Sequence, residues 1–151
     1  MISRYEQFAA LISGIERGIQ RIERDEMEKL GYKGAYAQYL AALRRCEGGV
    51  TAARLCEICD RDKAAVSRMV GELEQKGLVN RESGASYRAC LTLTEKGRTV
   101  AELVCRKAQA AVDAGGAGLT EEERRIYFTA LERIAGNIES ISREGLPDNE
   151  E

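Results

Sequence analysis

Cys56 and Cys59 are the residues whose type and spacing most directly suggest chemistry, because thiolates three residues apart can bind a metal ion or exchange electrons. The chain contains no histidine that could complete a mixed metal site. The surrounding segment has helical apolar spacing, and a free cysteine packs as a small hydrophobic side chain. We therefore predict that both cysteines are buried and structural, and that the protein binds no metal and no cofactor.

The other three cysteines, Cys46, Cys90 and Cys105, are spread along the chain. An odd total of five argues against a disulfide framework, although any one of these thiols could sense an oxidant.

The sequence offers neither a glycine-rich phosphate loop nor a nucleophile paired with a base. We therefore predict that the protein is not an enzyme.

The order of elements between Thr51 and Gly97 is more informative than the cysteines. Two apolar helical faces are separated by the polar turn Asp60-Arg61-Asp62, and Lys76-Gly77 stops the second helix. Two extended runs, 78–81 and 88–93, then flank a bend rich in Gly and Ser. This order predicts a winged helix-turn-helix with one small β-hairpin wing, in a mainly α-helical protein. The two apolar faces are formed by Leu55, Ile58 and Cys59, and by Val66, Met69, Val70 and Leu73.

The distribution of charge favours a nucleic-acid contact at this segment. The whole chain has a net charge of −2, but residues 51–98 hold nine Lys and Arg against seven Asp and Glu. The remainder holds fourteen against eighteen. The basic excess therefore lies on the helix-turn-helix, which has the sign required for binding DNA.

Long helices are predicted at both ends, from Ile2 to about Leu30 and from Thr120 to about Arg143. Each carries an apolar seam with the three-four spacing of helix pairs. The seams could pack within one chain, but so few helices offer little partner surface, and we favour a two-fold homodimer. The predicted dimer-interface residues are Ile12, Ile15, Ile19, Tyr127, Leu131, Ile134 and Ile138.

The sequence suggests four segments: an N-terminal dimerisation helix at 1–34, a winged lobe at 35–94, C-terminal dimerisation helices at 95–144 and an acidic, disordered tail at 145–151. Thr51, Thr94 and Thr120 are placed to cap helices, as is Asp62 or its neighbour. No window is apolar for long enough to cross a bilayer, and the amino terminus lacks a secretion signal. We therefore expect a cytoplasmic protein with no membrane partner.

Four runs of residues carry a resemblance to a known family: Leu55-Cys56-Glu57, 62–68 (DKAAVSR), 73–79 (LEQKGLV) and 91–97 (LTLTEKG). In this order they resemble the multiple-antibiotic-resistance regulator (MarR) family of bacterial transcription factors. The resemblance implies a triangular homodimer whose two winged lobes read a palindromic operator in double-stranded DNA. Many members are repressors that a small phenolic, a metal or an oxidant dislodges, so it also implies a small-molecule or oxidant effector.

The resemblance places the second helix of the motif in the major groove. A guanidinium can bond guanine bidentately, so Arg68 is the candidate for a base contact, whereas Lys63 and Arg61 are candidates for phosphate. The alternative for Arg68 is an exposed ion pair with Glu72, four residues on. The residues implied to face DNA are Arg61, Lys63, Ala64, Ala65, Ser67 and Arg68.

The wing departs from the family pattern. Relatives usually carry an aspartate and an arginine two apart at its tip, whereas this chain reads Ala85-Ser86-Tyr87-Arg88. A solvated hairpin is therefore an equal alternative to a wing that lies along the DNA backbone or minor groove. The wing residues implied to contact DNA are Arg81, Ser83, Ser86 and Arg88.

A ligand pocket would lie where the dimer helices meet the lobe, lined by Tyr32, Tyr36 and Tyr39. Tyrosines at this spacing are more often core residues. The family's peroxide sensors use a cysteine near the amino terminus, and this chain has none before Cys46.

Two functions are left open by the sequence. The first is a dimeric, sequence-specific DNA-binding regulator, in which a repressor role is favoured. The second is a winged-helix module that docks a protein partner and binds DNA weakly or not at all.

Overall fold

A computed structural model describes residues 3–82 and 88–146 of the chain. The helices in this part are α1 (Arg4–Lys29), α2 (Tyr36–Arg45), α3 (Ala52–Cys59), α4 (Lys63–Gln75), α5 (Glu95–Gly115) and α6 (Glu121–Glu144). The strands are β1 (Val50–Thr51), β2 (Val79–Arg81) and β3 (Cys90–Leu93). The predicted fold, a mainly α-helical winged helix-turn-helix between long terminal helices, is confirmed.

Polar side chains begin the helices at the predicted positions. The Arg54 N–H donates to Oγ1 of Thr51 (3.2 Å), and the Ala65 N–H donates to Oδ1 of Asp62 (2.8 Å). Thr120 forms a capping box with Glu123 at the start of α6. Each cap satisfies a backbone donor that the first turn of a helix leaves without an intrahelical partner.

The sheet has three antiparallel strands in the order β1-β3-β2. Val79 lies opposite Leu93 and Arg81 opposite Leu91, as in the predicted hairpin. The strand β1, which pairs Val50 with Leu91, was not predicted, because two residues are too few to show alternation. Ser83 and Ser86 of the predicted wing lie outside the described residues.

The core of the lobe is built from α2 to α5 and the sheet. Its largest fully buried side chains include Tyr36, Leu55, Val66, Leu73 and Leu91. Met27 also belongs to this cluster, so the end of α1 packs against the lobe. The apolar faces predicted for α3 and α4 therefore point inward, with Ile58 and Met69 only partly buried.

The start of α5 is fixed against the junction of α4 and β2. Oγ1 of Thr94 donates to the Gly77 carbonyl (2.6 Å) and accepts from the Gly97 N–H (2.9 Å). A Cβ on Gly97 would lie 1.9 Å from the carbonyl oxygen of Leu78, so this close approach requires a glycine. Gly77 itself has a φ of +70°, the left-handed conformation expected at the end of α4.

The chain divides into two compact units, Met1–Val112 and Asp113–Glu151. In the first, much of α1 is exposed, including the apolar side chains of Phe8, Leu11, Ile12 and Ile15. In the second, no described residue of α6 is buried. None of the described helices combines the length and the apolar character that a bilayer crossing requires.

Candidate nucleic-acid interface

The exposed face of α4 carries the residues implied to contact DNA. Lys63, Ala64, Ser67 and Arg68 are exposed, whereas Ala65 is half-buried. On the opposite face Val66, Val70 and Leu73 are buried in the core. This division follows the helical period, so packing of the apolar face holds the polar face towards solvent.

The turn before α4 presents Arg61 beside the first residues of the helix. Asp60 ends α3 with a φ of +50°, which reverses the chain sharply. The turn is held by the Arg61 N–H donating to the Cys56 carbonyl (3.0 Å) and by Nε2 of Gln38 donating to the Cys59 carbonyl (2.7 Å). Arg61 remains exposed. Gln38 was missed by the sequence reasoning, since no local pattern links it to a turn 21 residues away.

Glu72, the alternative partner considered for Arg68, forms hydrogen bonds with other residues. Its Oε2 accepts from Nζ of Lys33 (2.7 Å) and from the hydroxyl of Tyr36 (3.0 Å). These hydrogen bonds hold the pKa of the Glu72 carboxyl below its usual value, and Arg68 adds a smaller electrostatic contribution. Burial, followed by the hydrogen bond to Glu72, raises the pKa of Tyr36.

Arg81 does not extend freely from the wing strand. Its Nε lies 3.2 Å from Oε1 of Glu74, and its Nη2 lies 3.0 Å from Oε2 of the same carboxylate. The guanidinium that we predicted to touch DNA is thus held by the end of α4. Two charged groups that are distant in the hairpin pattern meet here because Gly77 folds the strand back beside the helix. Arg88, the other described wing residue of the prediction, is exposed.

Of the three tyrosines of the predicted ligand pocket, Tyr39 lines a cavity between α2 and α4. Tyr36 and Tyr39 are core residues, and Tyr32 is only partly buried with its ring 6.3 Å from that of Tyr36. The alternative interpretation, that the tyrosines pack the lobe, describes Tyr36 and Tyr39. These two side chains are buried because α2 packs against α1, α3 and β3.

Two cavities instead adjoin Gln38 and Arg61. One, of about 250 Å³, lies between α1 and α2 and is also lined by Gln20, Glu23 and Arg24. The other, of about 240 Å³, lies between α2 and α4 and is also lined by Arg68 and Glu72. Both are open and have linings that mix polar and apolar groups, unlike the mostly apolar pockets that enclose drug-sized molecules.

Of the two cysteines predicted to be buried, only Cys59 is fully so. Cys59 is buried in the core, and burial raises the pKa of its thiol. Cys56 is partly buried against the same cluster. Within residues 3–82 and 88–146, no three His, Cys, Asp or Glu side chains are grouped so that they could hold a metal ion.

The chain is similar in sequence and in fold to proteins of one family. Residues 30–88 match the model of the MarR family. A MarR-family transcriptional regulator from Silicibacter pomeroyi is 26% identical over 91% of this chain and 93% of its own, with a TM-score of 0.76. A comparison with curated proteins finds no match.

The similar structures include complexes with DNA. A putative MarR-family regulator from Listeria monocytogenes, in complex with a 26mer DNA, is 23% identical over 91% of this chain and 95% of its own, with a TM-score of 0.72. The S. aureus MepR–DNA complex is 20% identical over 90% of this chain and 99% of its own, with a TM-score of 0.69. At these identities the similarity concerns the fold.

Proposed function

We propose that this chain, which belongs to the MarR family, is a dimeric transcriptional regulator that binds a palindromic operator. The observation that carries the proposal is the exposed face of α4, where Lys63, Ser67 and Arg68 stand on a helix whose other face is locked into the core. A helix presented in this way fits the major groove of B-DNA. Two proteins of similar fold were solved in complexes with DNA, which supports DNA binding by this chain.

The side chains of this face would make different kinds of contact with DNA. Arg68 would donate two hydrogen bonds to a guanine, which specifies sequence. Lys63 and Arg61, near the helix start, would bind phosphates and fix the register. Ala64 and Ala65 would contact thymine methyl groups. In the wing, Arg88 would bind the DNA backbone, together with Ser83 and Ser86.

Dimerisation would use the exposed apolar faces of the terminal helices. Ile12 and Ile15 of α1, and Ile134 and Ile138 of α6, are all more than a third exposed in the single chain. A second copy covering these side chains would remove apolar surface from water, and a two-fold axis would place two α4 helices against one duplex. We propose the same role for Ile19, Tyr127 and Leu131.

The proposal also includes repression of transcription and release of the protein from DNA by an effector. An operator-bound dimer would block transcription in the bacterial cytoplasm. A small molecule that enters the cavities beside Arg61 would alter the turn before α4 and so weaken DNA binding. The proposed effector site thus adjoins Gln38 and Arg61, and of the three tyrosines it retains Tyr39.

Selection of bound duplexes from a random DNA pool tests this function. We expect enrichment of a palindrome whose half-sites are centred about one helical turn apart, bound by two protein chains. An enriched site without two-fold symmetry would contradict the dimeric mode of reading. If no duplex is retained at low salt, the chain is not a DNA-binding regulator, and a winged-helix module for protein docking becomes the better assignment.

A further inference from the structure

The Glu74–Arg81 ion pair joins the recognition helix α4 to the strand that leads into the wing. The guanidinium and the carboxylate meet in parallel, through the Nε–Oε1 and Nη2–Oε2 contacts described above. This fork geometry fixes direction as well as distance, which a single contact between point charges does not.

The pair is also shielded from solvent. The Arg81 and Glu74 side chains are 24% and 31% exposed, whereas those of Arg54 and Glu57, an ion pair on α3, are 62% and 67% exposed. Exposed pairs contribute little because water and salt screen them. A half-buried, bidentate pair holds its geometry better and is costlier to break.

The ion pair lies across the short connection between α4 and β2. Between α4 and β2 the chain reverses at Gly77, and the Leu78 N–H donates to the Leu73 carbonyl (3.0 Å). The side-chain bridge spans this reversal from Glu74 on the last turn of the helix to Arg81 at the end of the strand. The helix and the wing strand are therefore tied by backbone at one end of the connection and by side chains at the other.

We infer that Glu74 and Arg81 are positioning residues for DNA binding, which set the direction of the wing strand relative to α4. This inference rests on the proposed function. Base reading by α4 and backbone contact by the wing must occur on the same duplex, so a fixed angle between them lowers the cost of binding. Arg81 thereby acts through Glu74 and not through a phosphate.

Four variants separate positioning from direct contact: Glu74→Gln, Arg81→Gln, the double variant and Arg81→Lys. Affinity is measured over a salt series, for the duplex that the wild-type chain selects from the random pool. We expect each single variant to weaken binding by about tenfold and the double variant to bind no worse than either single, since they break one unit. Arg81→Lys keeps the charge but loses the fork, so it should weaken binding as Gln does.

The salt dependence gives the second readout. If Arg81 does not neutralise a phosphate, the slope of log affinity against log salt should stay unchanged in Arg81→Lys and in the double variant, because both keep the net charge of the pair at zero. Direct contact would instead lower the slope by about one unit in the double variant and leave Arg81→Lys nearly normal. That result, or full affinity in Glu74→Gln, would overturn the inference.

A matched control is available in α6, where Glu122 and Arg125 also form a bidentate pair but are 65% and 70% exposed. Glu122→Gln should leave affinity unchanged, and circular dichroism should verify that all variants are folded at the temperature of the assay. If the wild-type chain binds the selected duplex and the Glu74 and Arg81 variants bind it equally well, the positioning role is refuted but the proposed function is not. A wild-type chain that binds no duplex would refute the proposed function and this inference with it.

Discussion

At the scale of residues, the acidic side chains of α4, the proposed recognition helix, are paired with basic partners. Glu72 is paired with Lys33, and Glu74 is paired with Arg81. Either carboxylate alone would repel the phosphates of an approaching duplex. Pairing them reduces that repulsion while Arg68 remains exposed on the same helix.

The Glu72 network leads to a pH-dependence of stability. Its hydrogen bonds to Lys33 and Tyr36 lower the pKa of the Glu72 carboxyl below 4.5, so the ionised form is favoured in the folded state. The stabilisation is present above the unfolded value and is lost as the pH falls through the lower folded value. We expect Glu72→Gln to be less stable than wild type at pH 7, with the difference narrowing as the pH drops below about 4.5.

Urea denaturation at matched protein concentrations measures this difference. Glu57→Gln is a control, because Glu57 belongs to an exposed pair with Arg54 on α3. An equal loss of stability for Glu72→Gln at all pH values would show that the ionisation of Glu72 is not coupled to folding.

The sequence identified the exposed residues of α4 but not the partners of its acidic ones. Arg68 could be placed on the surface because the helical period assigns Val66, Val70 and Leu73 to the core. Glu74 and Arg81 could not be paired, because their contact depends on the angle at Gly77. Such an angle is set by tertiary packing and leaves no periodic signal.

At the scale of elements, the joint between α4, β2 and α5 depends on a close backbone approach at Gly97. A Cβ at this position would collide with the Leu78 carbonyl, so we expect Gly97→Ala to destabilise the fold by about 1–3 kcal/mol. At Gly71, within α4, such a Cβ would meet no atom within 4 Å beyond its chain neighbours and the backbone of its own helix. Gly71→Ala should therefore stabilise the protein by about 0.5–1 kcal/mol, as expected for alanine in a helix interior.

Urea denaturation of the two alanine variants provides the comparison. Opposite signs are expected for the same chemical change in neighbouring elements. A Gly97→Ala variant as stable as wild type would mean that α5 can shift away from Leu78 without cost.

The elements themselves were largely predictable, since local chemistry determines them. The caps at Thr51, Asp62, Thr94 and Thr120 lie where their side-chain oxygens accept from backbone N–H groups, as the sequence indicated. The strand β1 was missed because it exists only through its pairing with β3. An element of two residues has no preference of its own strong enough to be read locally.

At the scale of the whole molecule, the exposed apolar seams require an explanation. Periodicity predicted a face on each terminal helix but not what covers it, because the pattern is the same for an intrachain and an intermolecular partner. Ile15 is 50% exposed and Ile138 is 55% exposed in the single chain. Covering such side chains by a second copy is the basis of the proposed dimer.

A substitution in the α6 seam tests the dimer. Ile138→Asp places a charge on the apolar face and should raise the dimer dissociation constant by at least about tenfold, since burying an unpaired charge is costly. Sedimentation velocity over a range of protein concentrations measures the change. Asn137→Asp, which adds the same charge at the adjacent exposed position, should remain dimeric. Equal dimerisation by both variants would remove α6 from the interface.

The central claim is that Arg68 on α4 reads a base in the operator. The most direct measurement is the affinity of wild type and Arg68→Ala for the selected palindrome and for duplexes changed at single base pairs. Loss of the bidentate contact should cost about 1–3 kcal/mol and abolish discrimination at one base pair of each half-site. Arg106→Ala, which removes an exposed arginine from α5, should change neither. An Arg68→Ala variant that binds the palindrome with wild-type affinity and unchanged discrimination at every position would contradict the claim.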